Sequence, residues 1–194
     1  MTDSPEILHE PAAPAPSIFL IGPMGSGKSA VGKALAKLRG LAFIDSDVEI
    51  ERRTGVDIPF IFEKEGEAGF RQREREVIED LTTWPGIVLA TGGGAILLPE
   101  NRAWLASRGT VVYLEASVAQ QVERTRHGRH RPLLLATDPA VRLAELMAER
   151  EPLYRSIARI TVPTDRRKVQ MVAEQIVEGL QALETIGADG RRDN

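Results

Sequence analysis

The sequence predicts an α/β fold with three layers, in which helices cover both faces of a five-stranded parallel sheet. Short apolar runs alternate along the chain with longer amphipathic segments, which is the pattern of strands joined by crossover helices. The chain has 194 residues, of which 42% are hydrophobic, so it can bury one core of ordinary size. The predicted strands are the apolar runs at 18–21, 41–44, 87–90, 111–114 and 160–162.

Helices are predicted where apolar residues recur at spacings of three and four. Residues 31–38 carry such a stripe directly after the first strand, and residues 169–183 carry another near the end of the chain. A long helical pattern over 141–159 contains Pro152. Because proline has no amide hydrogen to donate and crowds the preceding turn, we expect two helices there rather than one.

The ends of the chain differ in composition from its middle. Residues 1–16 contain four prolines among alanines and acidic residues, a composition that buries too little apolar surface to offset the entropy of ordering. The last residues are small or charged. We therefore expect a disordered tail at 1–16, one domain over 17–186 and a flexible tail at 187–194.

Charge and cysteine content exclude several classes of function. The 25 basic residues against 28 acidic ones give a net charge of -3, so we expect no nucleic-acid partner. The absence of cysteine excludes disulfides, zinc–thiolate sites and a cysteine nucleophile. No apolar run approaches membrane-spanning length, and the residues before Lys28 include acids but no basic residue. We expect no membrane partner and a cytoplasmic location.

The strongest functional signal follows the first predicted strand. Residues 22–29 read Gly-Pro-Met-Gly-Ser-Gly-Lys-Ser and match G-x-x-x-x-G-K-[ST], the P-loop, between a strand and a helix. Its amides and the helix N-terminus can cradle phosphate, Lys28 can reach the β and γ phosphates, and Ser29 can bind Mg²⁺. The residues predicted to bind a nucleotide here are Gly25, Ser26, Gly27, Lys28, Ser29 and Ala30.

Two acidic residues, Asp45 and Asp47, follow the second predicted strand. In an extended chain, side chains two residues apart point the same way, so both can face the crevice at the carboxyl ends of the strands. One carboxylate can then hold the metal and the other can accept a hydrogen bond from a hydroxyl nucleophile. The alternative is a helix N-cap followed by an acid in the first turn; beside a P-loop, the functional interpretation is favoured.

Arg71 and Glu74 are spaced three apart in a charged helical segment, so their side chains can touch. This spacing alone favours a solvated surface pair. The functional interpretation is that Glu74 fixes Arg71 so that its planar guanidinium can grip a carboxylate.

Three consecutive glycines, Gly92, Gly93 and Gly94, follow the third predicted strand. They cost chain entropy and pack nothing, which indicates that something approaches the backbone closely. We expect a small ligand there, with a flexible turn as the alternative.

Residues 124–131 read Arg-Thr-Arg-His-Gly-Arg-His-Arg, with four arginines and no acid. Such a segment can close over a nucleotide, exclude water and bring a guanidinium to the transferring phosphoryl group. No aromatic residues are interleaved to stack on bases, which disfavours nucleic acid. A metal site on its two histidines is not expected in a chain with three histidines. The roles of Arg126, His127, Arg129 and His130 are left open.

Taken together, these motifs resemble the shikimate kinase family of P-loop enzymes. The order and spacing of the motifs over about residues 17–170 carry the resemblance. Beyond the P-loop, the matching elements are Asp-Ser-Asp at 45–47, Phe-Arg at 70–71 with Glu74, Thr-Gly-Gly-Gly at 91–94, Arg-Pro-Leu-Leu at 131–134 and Arg-Glu-Pro-Leu-Tyr at 150–154.

The resemblance implies transfer of the γ-phosphoryl group of ATP to the 3-hydroxyl of shikimate, a step toward chorismate and the aromatic amino acids. It implies an αβα P-loop fold with sheet order 2-3-1-4-5, a substrate-binding section over 46–75 and a mobile lid over 124–138. Magnesium is expected on Ser29, and on Asp45 through water. We expect a monomer whose small-molecule partners are ATP and shikimate.

The resemblance also implies roles for individual residues. Asp47 is expected to bind the shikimate hydroxyls and act as the base, and arginines are expected to face the carboxylate. The residues expected to bind shikimate are Asp47, Arg71, Gly92, Gly93, Gly94 and Arg150. Arg124, Arg131 and Arg167 are expected to contact the nucleotide. Those expected to act in catalysis are Asp47, Lys28 and Arg131.

Two other functions are compatible with a P-loop. One is a different small-molecule kinase, acting on gluconate or a nucleoside monophosphate. The other is a nucleotide-dependent switch. The sequence disfavours it, because it contains neither a D-x-x-G element nor an Asn/Thr-Lys-x-Asp segment for guanine.

Overall fold

The computed structural model describes residues 15–126 and 138–189, and the side chains up to residue 185. Strands and helices alternate along these residues as the apolar runs predict. The strands are β1 Ile18–Ile21, β2 Ala42–Asp45, β3 Ile87–Ala90, β4 Thr110–Glu115 and β5 Ile160–Pro163. The helices are α1 Lys28–Arg39, α2 Ser46–Thr54, α3 Ile58–Leu81, α4 Pro99–Arg108, α5 Val118–Thr125, α6 Pro139–Ile157 and α7 Val169–Asp189, with a short 3₁₀ helix at Ala95–Leu97.

The five strands form one parallel sheet in the order β2-β3-β1-β4-β5, which confirms the predicted topology. The central strand β1 pairs on both sides, with Phe19 opposite Leu89 of β3 and opposite Val111 of β4. All four residues of β1 and of β3 are buried, because helices cover both faces of the sheet.

Alternate residues of β1 pack into two separate apolar clusters. Phe19 and Ile21 belong to a cluster with residues of α3, α4 and α6, whereas Ile18 and Leu20 belong to one with residues of α1 and α7. The period-two alternation of a strand therefore divides the apolar core into one layer on each face of the sheet. Among the described helices, none is both long enough and apolar enough to cross a membrane.

The prediction of two helices over 141–159 is wrong, because α6 runs continuously from Pro139 to Ile157 with Pro152 inside it. Pro152 is exposed, so it lies on the solvent-facing side of the helix. Arg150 and Tyr154, on either side of it, are 6% and 1% exposed. Tertiary packing of these flanking residues keeps the helix whole despite one missing hydrogen bond.

At the C-terminus, α7 continues to Asp189, past residue 187 where the sequence predicts a tail. This extends the helix slightly beyond the predicted domain end at 186. Residues 1–14 and 190–194 lie outside the described residues, so the predicted tails stay predictions.

Because all five strands are parallel, their carboxyl ends meet at one edge of the sheet. The P-loop follows β1 there, Asp45 ends β2, and the glycine run 92–94 begins shortly after β3. Ligands of open α/β sheets bind at this edge, so the topology brings the separate sequence motifs to one place.

Replacing Pro152 with alanine is expected to raise the free energy of unfolding by about 1 to 3 kcal/mol, since it restores an amide hydrogen inside a helix and removes the ring from a helix interior. Urea denaturation measures this change. The control Glu149→Ala, at an exposed position of the same helix, is expected to shift stability by less than about 0.5 kcal/mol. A destabilised Pro152→Ala variant would mean that the packing of α6 requires the proline.

Candidate active site

A cavity of about 580 Å³ opens at the carboxyl edge of the sheet. The P-loop lines one end of it, and side chains from α2, α3 and α6 line the other. The predicted site residues that line it are Gly25, Gly27, Lys28, Ser29, Ala30, Asp47, Arg71, Gly92, Gly93, Gly94, Arg124 and Arg150. The structure therefore brings most of the predicted nucleotide and substrate residues to one cavity.

The P-loop has the strand-to-helix geometry that the motif requires. Gly25 and Gly27 have φ angles of 78° and 91°, in the left-handed region that only glycine adopts at little cost. The first hydrogen bond of α1 runs from the Val31 amide to the Gly27 carbonyl at 2.9 Å. The helix N-terminus, with its partial positive charge, therefore opens directly onto the loop.

Lys28 is the first residue of α1, and its side chain folds back over the loop. Its ammonium donates to the carbonyls of Gly22 and Pro23, both at 2.8 Å, and lies 3.4 Å from the Ser26 hydroxyl oxygen. These bonds hold a positive charge inside the loop at the end of the cavity where anionic phosphate would bind.

Asp45 has two hydrogen-bond partners. Its Oδ2 accepts from the Ser29 hydroxyl at 2.6 Å, and its Oδ1 accepts from the Asp47 amide at 3.1 Å. The second bond makes Asp45 the N-cap of α2. The bond from Ser29 places a hydroxyl oxygen beside a carboxylate oxygen. Mg²⁺ binds oxygen ligands of these two kinds together with phosphate and water.

The prediction of an extended chain over residues 45–47 is wrong. The chain becomes helical at Ser46, because the Asp45 carboxylate caps the helix there, and Asp47 lies in the first turn of α2. The alternative interpretation, an N-cap followed by an acid, therefore describes the backbone. Asp47 nevertheless lines the cavity, so capping and a functional position coexist.

Asp47 lies among charges of both signs. Burial, with the negative charges of Glu74 and Asp45, raises the pKa of Asp47 to about 7. The positive charges of Lys28 and Arg71 oppose this rise. The Oδ1 atom of Asp47 is enclosed and has no hydrogen-bond partner among the described residues. This carboxyl group can consequently exchange a proton near neutral pH.

Arg71 and Glu74 form a buried ion pair, so the expectation of a solvated surface pair is wrong. Nη1 of Arg71 donates to Oε2 of Glu74 at 2.6 Å, and the two side chains are 12% and 0% exposed. The guanidinium also donates to Glu67 at 2.9 Å. Burial raises the pKa of Glu74, while Arg71 and Arg150 oppose that rise. Two carboxylates thus hold Arg71 at the wall of the cavity.

The glycine run is crowded by groups of the protein itself. A Cβ atom at Gly92 would lie 2.6 Å from Glu74 Oε1 and 2.8 Å from Asp47 Oδ1, and one at Gly94 would lie 2.2 Å from Arg71 Nη2. The glycines predict that some group approaches this backbone closely, and the structure shows that Glu74, Asp47 and Arg71 do so without a bound ligand. Gly92 and Gly94 leave room for the charged cluster, whereas Gly93 adjoins the P-loop backbone, and all three line the cavity.

Several residues of the site were not predicted. Apolar side chains at the start and middle of α3, including Phe62 and Phe70, line the cavity beside Glu51. The Ser46 hydroxyl accepts a hydrogen bond from the Gly92 amide at 3.0 Å and joins α2 to the glycine run. Nothing in the spacing of these residues distinguishes them from core or capping residues, since their role depends on packing.

The predicted nucleotide arginines are placed differently. Arg124 donates to the Gly25 carbonyl at 2.9 Å and to the Thr164 carbonyl at 2.9 Å, and it lines the cavity. Arg167 instead contacts Gln175 and is not among the residues lining the cavity. Arg131 and positions 127–137 of the predicted lid lie outside the described residues, so its closure and the contact of Arg131 stay predictions.

Comparisons with known proteins find similar sequences. The family model for shikimate kinase matches residues 24–181. A shikimate kinase of Halorhodospira halophila is 58% identical over 164 residues, covering 84% of this chain and 93% of that protein. One of Pseudomonas syringae pv. tomato is 54% identical over 167 residues, covering 86% and 97%.

Solved structures of similar proteins include a shikimate kinase. The structure of shikimate kinase from Acinetobacter baumannii in complex with shikimate has a TM-score of 0.85 and 48% identity, and the match covers 87% of this chain and 94% of that one. A gluconokinase from Sinorhizobium meliloti has a TM-score of 0.58 at 20% identity over 91% and 97% of the two chains, which shows a shared fold.

The raised pKa of Asp47 predicts a pH-dependent stability difference between the wild type and Asp47→Asn. Between about pH 4 and 7 the folded protein retains a proton on Asp47 that the unfolded chain has lost, so this group destabilises the fold as pH rises. Asparagine does not titrate. At about pH 8 the variant is expected to be more stable by roughly 1 to 3 kcal/mol.

Urea denaturation without nucleotide and with a chelator measures this difference, and the same pair of proteins at about pH 4 is the internal control, where most of the pH-dependent part of the difference should be lost. An equal difference at both pH values would contradict the raised pKa.

Proposed function

Because the chain belongs to the shikimate kinase family, we propose that it transfers the γ-phosphoryl group of ATP to the 3-hydroxyl of shikimate. One observation carries this proposal. A single cavity joins a P-loop, which suits a nucleotide phosphate, to a buried cluster of Arg71, Glu74 and Arg150, which suits an acceptor carrying a carboxylate. Asp47 lines the same cavity and is close enough to Lys28 and Arg71 for both charges to act on it.

The P-loop end is proposed to hold ATP. Amides of the loop and of the α1 N-terminus donate to phosphate oxygens, and the Lys28 ammonium neutralises charge on the β and γ phosphates. Arg124 is already held beside the loop through the Gly25 carbonyl, so its guanidinium has a fixed starting position near the nucleotide. Arg131 and Arg167 are proposed to contact the nucleotide as the family resemblance implies.

Ser29, with Asp45 acting through water, is proposed to hold Mg²⁺. Their oxygen atoms lie 2.6 Å apart, and one hydroxyl with one carboxylate fits a cation that takes its other ligands from phosphate and water. A Mg²⁺ ion held there would supply positive charge to the phosphate groups.

The opposite end is proposed to hold shikimate. Arg71 presents a planar guanidinium whose orientation is fixed by Glu74 and Glu67, and such a fork binds a carboxylate through two parallel hydrogen bonds. Arg150, which is 6% exposed, adds a second positive charge to the same wall. The substrate carboxylate bound there leaves the ring hydroxyls directed toward Asp47.

Asp47 is proposed to position the 3-hydroxyl and to receive its proton. Its carboxylate accepts a hydrogen bond from the hydroxyl, the hydroxyl oxygen forms the new bond to phosphorus, and the proton moves to Asp47 as the bond from the γ phosphorus to the leaving oxygen of ADP breaks. A pKa near 7 suits a group that gains and loses a proton in each turnover. Since phosphoryl transfer has a loose transition state, positioning and charge neutralisation provide much of the acceleration.

The direct test is an acceptor assay with ATP and Mg²⁺. The wild-type protein is expected to phosphorylate shikimate and to leave gluconate and nucleoside monophosphates unchanged, as measured by ADP release and by phosphorus NMR of the product. Asp47→Asn is expected to lower kcat for shikimate by roughly 10²- to 10⁴-fold with little change in the KM for ATP.

The matched control is Asp80→Asn, which removes a carboxylate that pairs with Arg53 on the surface of α3 and does not line the cavity. It is expected to retain wild-type kinetics. Near-normal turnover by Asp47→Asn would contradict the role of Asp47. ATP hydrolysis that no acceptor stimulates would instead favour a nucleotide switch.

Replacing Arg71 with lysine is expected to raise the KM for shikimate roughly tenfold while the KM for ATP stays unchanged, because lysine keeps the charge but loses the bidentate fork. Steady-state kinetics with each substrate varied in turn measures this. The control is Arg73→Lys on the same helix, where the arginine pairs with Glu65 outside the cavity. A change confined to the KM for ATP would contradict the assignment.

A further inference from the structure

Tyr154 is a buried polar residue that does not line the cavity but is bonded to one of its walls. Its side chain is 1% exposed, and its hydroxyl donates to the Gly93 carbonyl at 2.5 Å. Its ring stacks on Tyr113, with centroids 5.1 Å apart and planes inclined by 17°. The ring therefore belongs to the core, whereas the hydroxyl reaches the glycine run.

The bond from Tyr154 links two parts of the proposed shikimate site. Arg150 lies one helical turn before Tyr154 on α6, so the two side chains share a face of that helix. Arg150 lines the cavity, and its positive charge acts on the Tyr154 hydroxyl behind the wall. One helix thus supplies a guanidinium to the cavity and a hydroxyl to the Gly93 backbone.

The glycine run needs such an anchor, because consecutive glycines restrict the backbone very little. The Gly92 amide is fixed by its bond to Ser46, and the Gly93 carbonyl is fixed by Tyr154. In a planar trans peptide, the Gly94 amide points away from the Gly93 carbonyl. Holding that carbonyl against Tyr154 therefore also sets the direction of the amide hydrogen at Gly94, which lines the cavity.

Tyr113 is a second buried tyrosine, with which the hydrogen bonding of the Tyr154 hydroxyl can be compared. It is fully buried and stacked on Tyr154, but its hydroxyl has no hydrogen-bond partner among the described residues. The core of this region therefore accommodates a tyrosine without using its hydroxyl. The bond from Tyr154 to Gly93 is specific to one of two neighbouring tyrosines.

We infer that Tyr154 is a positioning residue for shikimate, whose hydroxyl holds the 92–94 backbone and the neighbouring Arg150 in the geometry that binds the substrate. This inference rests on the proposed function and adds to it a residue that does not touch the substrate. It assigns Tyr154 to the shikimate end of the cavity, because Arg150 lies one turn away on the same helix and the residue after Gly93 adjoins the Arg71 guanidinium.

The test compares Tyr154→Phe with Tyr113→Phe. Both keep the stacked rings, and only the first removes a hydrogen bond and leaves a buried carbonyl without its donor. Tyr154→Phe is expected to raise both the KM and the calorimetric Kd for shikimate roughly tenfold, with the KM for ATP within about twofold of wild type. Tyr113→Phe is expected to stay within about twofold of wild type for both substrates.

A second measurement does not require Tyr154→Phe to fold. The chain has 2 tyrosines, so fluorotyrosine labelling gives two fluorine NMR signals, which Tyr113→Phe assigns. The Tyr154 signal of the otherwise wild-type protein is expected to shift on saturation with shikimate and to stay in place with ADP. A Tyr154 signal that ignores shikimate would overturn the inference.

Other outcomes are equally decisive. A wild-type KM for shikimate in Tyr154→Phe, an equal rise for ATP, or the same loss in Tyr113→Phe would each overturn the role of Tyr154, since a general packing defect affects both substrates. If the wild-type protein itself neither binds nor phosphorylates shikimate, the proposed function fails instead. The two failures are therefore separated by the wild-type control.

Discussion

The carboxyl group of Glu74 has no exposure to solvent, and this burial raises its pKa. The positive charges of Arg71 and Arg150 oppose that rise, and Arg71 bonds to Glu74 at 2.6 Å. This buried ion pair determines much of the surrounding structure. Glu74 and the nearby Asp47 crowd the backbone at residue 92, and Arg71 crowds it at residue 94, so a Cβ atom at either position would force these charged groups to move. Glycine at positions 92 and 94 therefore leaves these charged groups where they are.

The two ends of the cavity depend on different kinds of structure. The P-loop end is built from backbone amides, a helix N-terminus and Lys28, all within one short segment of chain. The other end is assembled from α2, α3, α6 and the turn after β3, which lie far apart in sequence. Parallel strands bring them to one edge, and ion pairs and hydrogen bonds then hold the side chains in place.

This difference explains what the sequence could and could not predict. Local patterns were sufficient for the strands and for the P-loop, and the order of the motifs identified the family. From their spacing alone, Arg71 and Glu74 were predicted to be a solvated surface pair, whereas the structure buries them. Their burial depends on elements distant in sequence, which residue spacing does not reveal. The same limit applies to Ser46, which looks like an ordinary residue after a strand and in fact bonds the glycine run.

The rule that a proline ends a helix fails at Pro152, where the tertiary structure keeps α6 continuous. A break at that residue would separate Arg150 from Tyr154 and place them on unrelated helices. In the continuous helix they are one turn apart on one face, so one lines the cavity while the other holds the Gly93 carbonyl. The helix can remain continuous because the proline faces outward and the flanking residues are buried. The cost of one lost backbone hydrogen bond is thus offset by packing on the side of α6 that builds the site.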